Sequence, residues 1–316
     1  MCLILTVTGV LVTIVIARII EFWLRRPYIE TITDKYVFVT GCDTGFGNKL
    51  AKQLDTKGVH VIAACLTDKG RRDLDDVTSG RVKTLLLDVT DHDSVVKAYE
   101  EVVKIIPHQA ALWGVVNNAG MSRNSGYLVW SRKEDYEKVL GVNLLGTVDV
   151  TLTFLPLLRK SSGRLVNVAS CAGRMAAQPA GYCESKYAVE AFSDLVRRER
   201  KHFGDRFRVS IIEPGVFSTH IASKENMSNC VTSAWNRLSE NEKEDFPESF
   251  LKKYIDEKSV LIDKLSSRDL SQVTDVMEHA LFSKWPRTRY AAGWDAKLLW
   301  VPLSYCPTWF QDIVWS

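Results

Sequence analysis

Between residues 35 and 215 the chain alternates short apolar runs with stretches whose apolar positions recur every three or four residues. Lys35-Tyr-Val-Phe-Val-Thr40 is a strand-like run that ends in a glycine-rich turn, and a helical pattern begins at Phe46. Val59–Cys65 and Val82–Leu87 predict two more strands, the second ending at Asp88. Ser94–Ile106 reads as a helix, and Leu112–Val116 as a strand running into Asn117-Asn118-Ala119-Gly120. Lys133–Leu158 reads as one long helix containing Asn143, Arg164–Ala169 as the strand before Ser170, and Ala180–His202 as a further helix. Phe207–Ile212 is a strand that ends in Glu213-Pro214-Gly215. Repeated strand–helix units with continuous apolar strands predict an α/β fold: a doubly wound parallel sheet covered on both faces. Ligands of such sheets sit at the carboxyl ends of the strands. The glycine turn, Asp88, the Asn-Asn-Ala-Gly turn, Ser170 and Pro214-Gly215 all fall on that edge.

The first segment follows another pattern. Residues 2–17 are apolar and uncharged, and the apolar character continues past Arg18 to Leu24, before Arg25-Arg26. The uncharged run falls short of the ~20 residues a spanning helix needs, and the extension to Leu24 makes up the length. Arg18 can snorkel. With no charged leading region and no small-residue cleavage site, residues 1–26 read as an uncleaved N-terminal membrane-anchor helix. A buried core helix is the alternative. Trp23 suits the membrane interface, and Arg25 and Arg26 favour keeping the body on the cytosolic side.

Charge and cysteine usage narrow the function. The formal net charge is +3, with no long basic block, which argues against a nucleic-acid partner. The cysteines at 2, 42, 65, 171, 183, 230 and 306 form no CxxC and no His/Cys cluster, so neither a metal site nor a disulfide framework is expected.

Candidate chemistry lies in Ser170–Lys186. Tyr182 and Lys186 are i,i+4 neighbours on a helix face. A free phenol titrates near ~10, and a nearby ammonium favours its phenolate. Such a tyrosine is a general acid or base for an alcohol or carbonyl, and Ser170, twelve positions earlier, stands at a strand end where it can hold the same oxygen. The turn Thr40-Gly41-Cys42-Asp43-Thr44-Gly45-Phe46-Gly47 joins a strand to a helix N-terminus, an arrangement that takes a pyrophosphate.

Thr40–Gly47 as TGxxxGxG, Asn117–Gly120 as NNAG, Asn143, Ser170, Tyr182–Lys186 as YxxxK and Pro214-Gly215 match the short-chain dehydrogenase/reductase family in order and spacing. The resemblance covers about residues 35–300 and implies a single Rossmann-type doubly wound domain. More narrowly, DKYVFVTGCDTGFGNKLA, VIAACLT, LLLDVTD, ALWGVVNNAG, EAFSDLVRRE and RTRYAAGWDAKLLWVPLSY resemble the microsomal retinol dehydrogenase and 3α/17β-hydroxysteroid dehydrogenase group, which an N-terminal anchor also fits. The resemblance implies Tyr182 as acid/base, Lys186 as its electrostatic partner and a ribose ligand, Ser170 as the orienter of the substrate oxygen, and Asn143 as holder of a relay water. Ser170 and Tyr182 then contact the substrate. It places Thr40, Gly41, Gly45, Phe46 and Gly47 at the pyrophosphate turn, Asp88 near the adenine, Asn118 near the adenosine ribose, and Pro214 and Thr219 near the carboxamide. For Asn143 a buried structural hydrogen bond is the bland alternative; for the strand-end acids and amides it is helix capping.

Residue types then argue for NAD as cofactor. NADP asks for a base near its 2′-phosphate, NAD for an acid on the ribose. After the second strand the chain reads Ala64-Cys65-Leu66-Thr67-Asp68; no base stands there, Cys65 takes the usual acid's place, and Thr44 stands where relatives using NADP carry Arg. Lys69, Arg71 and Arg72 lie just downstream and keep NADP open. Gln178-Pro179-Ala180-Gly181 replaces the glycine run of many relatives, and Glu184 sits between tyrosine and lysine, pointing away at i+2. Residues 216–265, after Pro214-Gly215, are expected to form the substrate lid. The aromatic tail, residues 301–316 with Trp294, Leu298, Leu299 and Trp300 leading into it, has three uses open to it: lining a lipid substrate's path, touching the membrane surface or packing a homodimer. The expected activity is NAD-dependent oxidation of a hydrophobic alcohol, a retinoid or steroid, at the endoplasmic reticulum membrane. An NADPH-dependent reductase of retinal or ketosteroids and a catalytically silent NAD- and lipid-binding membrane protein are the alternatives. Asn226-Met-Ser is a glycosylation acceptor usable only in a luminal body.

Overall fold

The computed structural model describes residues 12–13, 16–17, 19–176, 178–202 and 206–315. Seven strands form one parallel sheet in the order β3-β2-β1-β4-β5-β6-β7. They are β1 (Tyr36–Thr40), β2 (His60–Cys65), β3 (Val82–Leu86), β4 (Leu112–Asn117), β5 (Arg164–Val168), β6 (Arg208–Pro214) and β7 (Arg289–Ala292). The order reverses between β1 and β4, and a crevice opens at the strand ends there. Alternate side chains of one strand feed two cores. Val37 and Val39 pack with Leu50 and Leu54 of helix α1 (Gly45–Thr56), while Phe38 packs on the other face with Phe154, ring centroids 4.4 Å apart. Burial on both faces is why these strands read as unbroken apolar runs.

The long helix read from Lys133 to Leu158 is interrupted. It forms α2 (Lys133–Leu140), a π-helical turn (Gly141–Gly146) and α3 (Thr147–Ser161). The π turn coincides with Asn143, which is buried, and π turns recur at functional sites. Among the described residues, Lys133–Ser161 is the helix long and apolar enough to cross a membrane. It is a core element, burying Val150, Phe154 and Leu158 beside the sheet. The helix read from Ala180 starts instead at Tyr182, as α4 (Tyr182–Arg198). Ala180 and Gly181 both have positive φ, +66° and +84°, so the chain turns sharply before the helix can begin.

After β6 the chain leaves the sheet as α5 (Lys224–Asn236), α6 (Glu240–Asp245) and α7 (Glu248–Leu265). These helices have a core of their own, in which Met227, Val231, Leu251 and Tyr254 pack on Trp130. Helix α8 (Ser271–Phe282) returns the chain to the sheet.

The anchor expected at residues 1–26 lies largely outside the described residues. Its described apolar residues, Val12, Ile16, Ile19, Ile20, Phe22, Trp23 and Leu24 among them, are exposed. The segment then docks on the body: Arg25 Nη1 donates to the Trp285 and Pro286 carbonyls at 2.9 and 2.8 Å.

Candidate active site

The glycine turn is shaped for close approach. Gly41 and Gly45 have φ of +70° and +65°. A Cβ on Gly41 would stand 2.7 Å from Ala119 Cα, and one on Gly47 would strike the Gly41 carbonyl and lie 2.6 Å from Asn118 Nδ2. Helix α1 begins after Thr44 with no side-chain cap and no acid in its first turn, which leaves its leading N–H groups and positive dipole end for an anion. Thr219 borders this cradle, its Cγ2 3.7 Å from where a Gly45 Cβ would be. Phe46 meets Phe217 edge to face, centroids 5.5 Å apart. These features fit a dinucleotide.

Thr40 and Asn118 hold the cradle. Thr40 Oγ1 accepts from the Asn118 and Ala119 N–H groups, both at 3.0 Å, and Asn118 Nδ2 donates to the Thr40 and Gly41 carbonyls at 2.9 and 3.0 Å. Asp88 is exposed at the end of β3, and its carboxylate accepts from the Thr90 N–H and hydroxyl at 2.9 and 2.7 Å, a local turn cap. Cys65 is fully buried, and burial pushes its thiol up to about 12. The carboxylate nearest this strand end is that of Asp43, which accepts from the Leu66 N–H at 2.8 Å and from the Thr67 N–H and hydroxyl at 2.9 and 2.7 Å. Reading along the chain gave Asp43 no role. Its signal was an acid standing inside a glycine turn.

On the other side of the crevice, Ser170 lies two residues past the end of β5 and caps a short 3-10 turn, accepting from the Ala172 N–H at 3.1 Å and donating to the Pro214 carbonyl at 3.4 Å. Tyr182 opens α4. Burial is the main influence on its phenol, pushing it up to about 12, while a hydrogen bond with Ser170 pulls the other way. Lys186 is buried and pulled down to about 8 by that burial. Its Nζ donates to the Val168 carbonyl at 2.9 Å and lies 5.8 Å from the Tyr182 ring centroid. The i,i+4 spacing thus places ammonium and phenol on one face, and burial is the main influence on each. Glu184 is exposed and points away.

Asn143 is held on three sides: Oδ1 accepts from the Met121 N–H at 2.8 Å, and Nδ2 donates to the Met121 carbonyl and Ser185 Oγ, both at 3.0 Å. Gly120 separates it from the lysine: a Cβ there would lie 3.4 Å from Asn143 Oδ1 and 3.8 Å from Lys186 Nζ. A buried ladder missed in the sequence steadies α4. Asn117 Nδ2 donates to Thr151 Oγ1 and Asn167 Oδ1, and Asn167 Nδ2 to Ser193 Oγ, each at 2.8 Å. Asp295, also unassigned from sequence, is buried against Gly215 and accepts from the Val216 N–H at 2.8 Å and Trp300 Nε1 at 3.0 Å.

Ser170 and Tyr182 open into a cavity of about 210 Å³, whose other walls include Met175, Tyr254, Leu265 and Trp300. A hydroxyl pair with a buried cation behind it, at the floor of a largely apolar pocket beside an anion cradle, can move a proton on an alcohol or carbonyl carried by a hydrophobic molecule.

The sequence profile described as short chain dehydrogenase matches residues 35–229, more than half of the chain. The chain belongs to the short chain dehydrogenase family. This short chain dehydrogenase is 49% identical to retinol dehydrogenase 7 of Rattus norvegicus, over 94% of its own length and 92% of the relative's. It is 47% identical to 17-beta-hydroxysteroid dehydrogenase type 6 of Bos taurus, over 92% and 91% of the two chains. Among solved structures, it shares its fold with a short chain dehydrogenase/reductase from Burkholderia phymatum in complex with NAD, at TM-score 0.68 and 21% identity over 86% and 94% of the chains. A short-chain dehydrogenase from Streptomyces avermitilis gives TM-score 0.65 at 22% identity, over 89% and 93%. The chain is therefore an oxidoreductase of the short chain dehydrogenase type, related to retinol and hydroxysteroid dehydrogenases.

Proposed function

We propose that this chain is an NAD-dependent dehydrogenase of hydrophobic alcohols, retinol or 3α/17β-hydroxysteroids, held at the endoplasmic reticulum membrane by its N-terminal segment. The observation that carries the reading is the pair Ser170 and Tyr182 on the wall of an apolar cavity, with the buried Lys186 behind the tyrosine on the same helix. The relatives named for retinol and 17-beta-hydroxysteroid oxidation support the substrate class.

The dinucleotide would be held by Gly41, Gly45, Gly47, the α1 N-terminus and Thr219, and when bound it supplies the hydride acceptor. The chain's own residues handle the oxygen and its proton. Ser170 Oγ fixes the alcohol oxygen beside Tyr182 Oη, which takes the proton on oxidation and returns it on reduction. The Lys186 ammonium, held against the Val168 carbonyl, favours the phenolate on the basic side of that cycle. Asn143 braces the Met121 backbone, next to Ser122 of the cavity wall, and Gly120 fills the narrow space between Asn143 and Lys186.

Two observations support NAD over NADP. The carboxylate of Asp43 stands at the end of β2, where negative charge disfavours a 2′-phosphate. Two of the three nearby bases are committed: Lys69 lies 2.5 Å from Asp73, and Arg71 lies 3.4 Å from Asp68 and 3.8 Å from Asp75, which leaves Arg72 as the base to test.

A cytosolic-facing body is supported by Asn226, the glycosylation acceptor, which lies in the first turn of α5 on the cavity wall rather than on a free loop. A glycosidase-sensitive mass shift lost in Asn226→Gln would overturn that orientation.

Detergent-solubilised protein, offered NAD or NADP with all-trans-retinol and a 3α-hydroxysteroid in parallel, tests the reading. Turnover with NAD supports it; turnover only with NADPH and the carbonyl compounds makes the protein a reductase; NAD binding without turnover makes it a silent binder.

A further inference from the structure

The cavity has two unlike sides. The sheet side brings Ser170 and Tyr182. The side formed by α5 and α7 is largely apolar, with Met227, Leu261 and Leu265, but it also carries Asn226, Tyr254 and Lys258. Lys258 lines the cavity, which the unpaired and exposed Lys264 of the same helix does not, and it differs from the paired lysines around it. Lys224 pairs with Asp263, Lys252 lies 2.9 Å from Glu248, and Lys253 lies 3.8 Å from Glu257. Among the described residues no carboxylate lies within ion-pair distance of Lys258; its Nζ sits 5.7 Å from the centroid of the Tyr254 ring. That ring is itself anchored, its hydroxyl donating to Asn124 Oδ1 at 3.3 Å, so the cation is held beside the cavity by a fixed aromatic surface.

Resting on the reading that the alcohol reacts at Tyr182, we propose that Lys258 is a specificity-determining residue that receives a second oxygen of the substrate, at the end remote from the reacting carbon. The substrate class this selects is a hydroxysteroid oxygenated at both ends of its rigid ring system. A steroid carbonyl or hydroxyl accepts a charged hydrogen bond from the ammonium, one of the stronger kinds. Retinol ends in a hydrocarbon ring, and seating it there strips water from the ammonium and returns no partner. A pocket that carries a donor for a remote oxygen discriminates against a ligand lacking that oxygen.

The test is equilibrium dialysis of the detergent-solubilised full chain, with NAD present, against androstane-3α,17β-diol, its 17-deoxy analogue and all-trans-retinol. The diol binds about tenfold more tightly than the deoxy compound, the size of one charged hydrogen bond at a half-exposed site. Lys258→Met abolishes that advantage while the deoxy steroid and retinol bind at least as tightly as before, and Lys258→Gln, which keeps a neutral donor, restores part of it. Equal binding of the two steroids to the unaltered protein, equal weakening of all three ligands in Lys258→Met, or binding of none of them overturns the assignment. Turnover measured in parallel separates the two claims. Discrimination in binding without turnover keeps Lys258 and sinks the dehydrogenase reading; turnover of both steroids with equal affinity does the reverse.

Discussion

The cradle at the end of β1 and the helical wall of α5–α7 hold their functional groups by different means. The cradle works with backbone. Gly41 and Gly45 supply positive φ, Gly41 and Gly47 supply closeness, and Thr40 with Asn118 ties two strand ends together. The helical wall works with side chains on a separate small core built around Trp130 and Tyr254. A backbone site tolerates almost no added atom, because a Cβ meets fixed main-chain groups. A side-chain site on a satellite core can change its lining while the sheet stays as it is. The difference teaches what each region can change: the cradle is rigid because its contacts are main chain, whereas the lining of the wall can vary on its own small core.

Four variants break or sharpen that contrast. The largest effect is expected at the junction of the two regions. Tyr182→Phe removes the proton-transferring hydroxyl, and turnover falls by about 10³-fold or more, while NAD affinity from fluorescence titration stays unchanged. Substantial residual turnover would remove Tyr182 from the acid/base role.

Gly47→Ala attacks the cradle alone. Its Cβ has nowhere to go between Gly41 and Asn118, so NAD affinity drops by about 10²-fold, equivalent to about 3 kcal/mol. Steroid or retinol binding measured in the same preparation persists. Loss of both together would mean that the two regions are less independent than their separate cores indicate.

Lys186→Met isolates the cost of burying the ammonium. The folded state pulls this lysine from 10.5 to about 8. The folded protein therefore binds fewer protons than the unfolded chain between those values, and the group's contribution to stability rises with pH across that window. At pH 7 both states are protonated and the full penalty, about 3 kcal/mol from a shift of this size, is present. Lys186→Met, which also gives up the bond to the Val168 carbonyl, raises Tm at pH 7 yet abolishes turnover, and its advantage over the unaltered protein shrinks toward pH 10. A lower Tm at pH 7 would show that the lost hydrogen bond outweighs relief of the buried charge.

The smallest effect is the most selective. Asp43→Asn removes charge at the end of β2 and shifts the NADP-to-NAD ratio of kcat/KM upward by about tenfold, or 1.4 kcal/mol. An unchanged ratio would place cofactor choice elsewhere, with Arg72 the first residue to examine.

The alternation of apolar runs and helical stretches was enough to lay out the parallel sheet, because strands buried on both faces must be continuously apolar and their connections must be helical. The strand-end turns were equally legible, since glycine geometry and the Tyr182–Lys186 spacing are local properties of the chain. The π turn at Asn143 was not, because its pattern of apolar residues is that of an ordinary helix and only the packing of Gly146 against Val89 and of Asn143 against Met121 sets the altered winding. The start of α4 was displaced for a similar reason: left-handed backbone at Ala180 is not written in its side chain.

Sequence alone determined the family, the glycine turn and the spacing that sets Tyr182 and Lys186 on one helix face, all features whose geometry is set within a few residues. Only the tertiary structure decided that Asp43 rather than Cys65 presents a carboxylate at the end of β2, that burial pushes the Tyr182 phenol up and pulls Lys186 down, and that Lys258 faces the cavity without an acidic partner among the described residues. Each of these depends on solvent exclusion or on contacts between residues distant in the chain. Desolvation and long-range pairing are properties of the folded interior, and no local pattern encodes them.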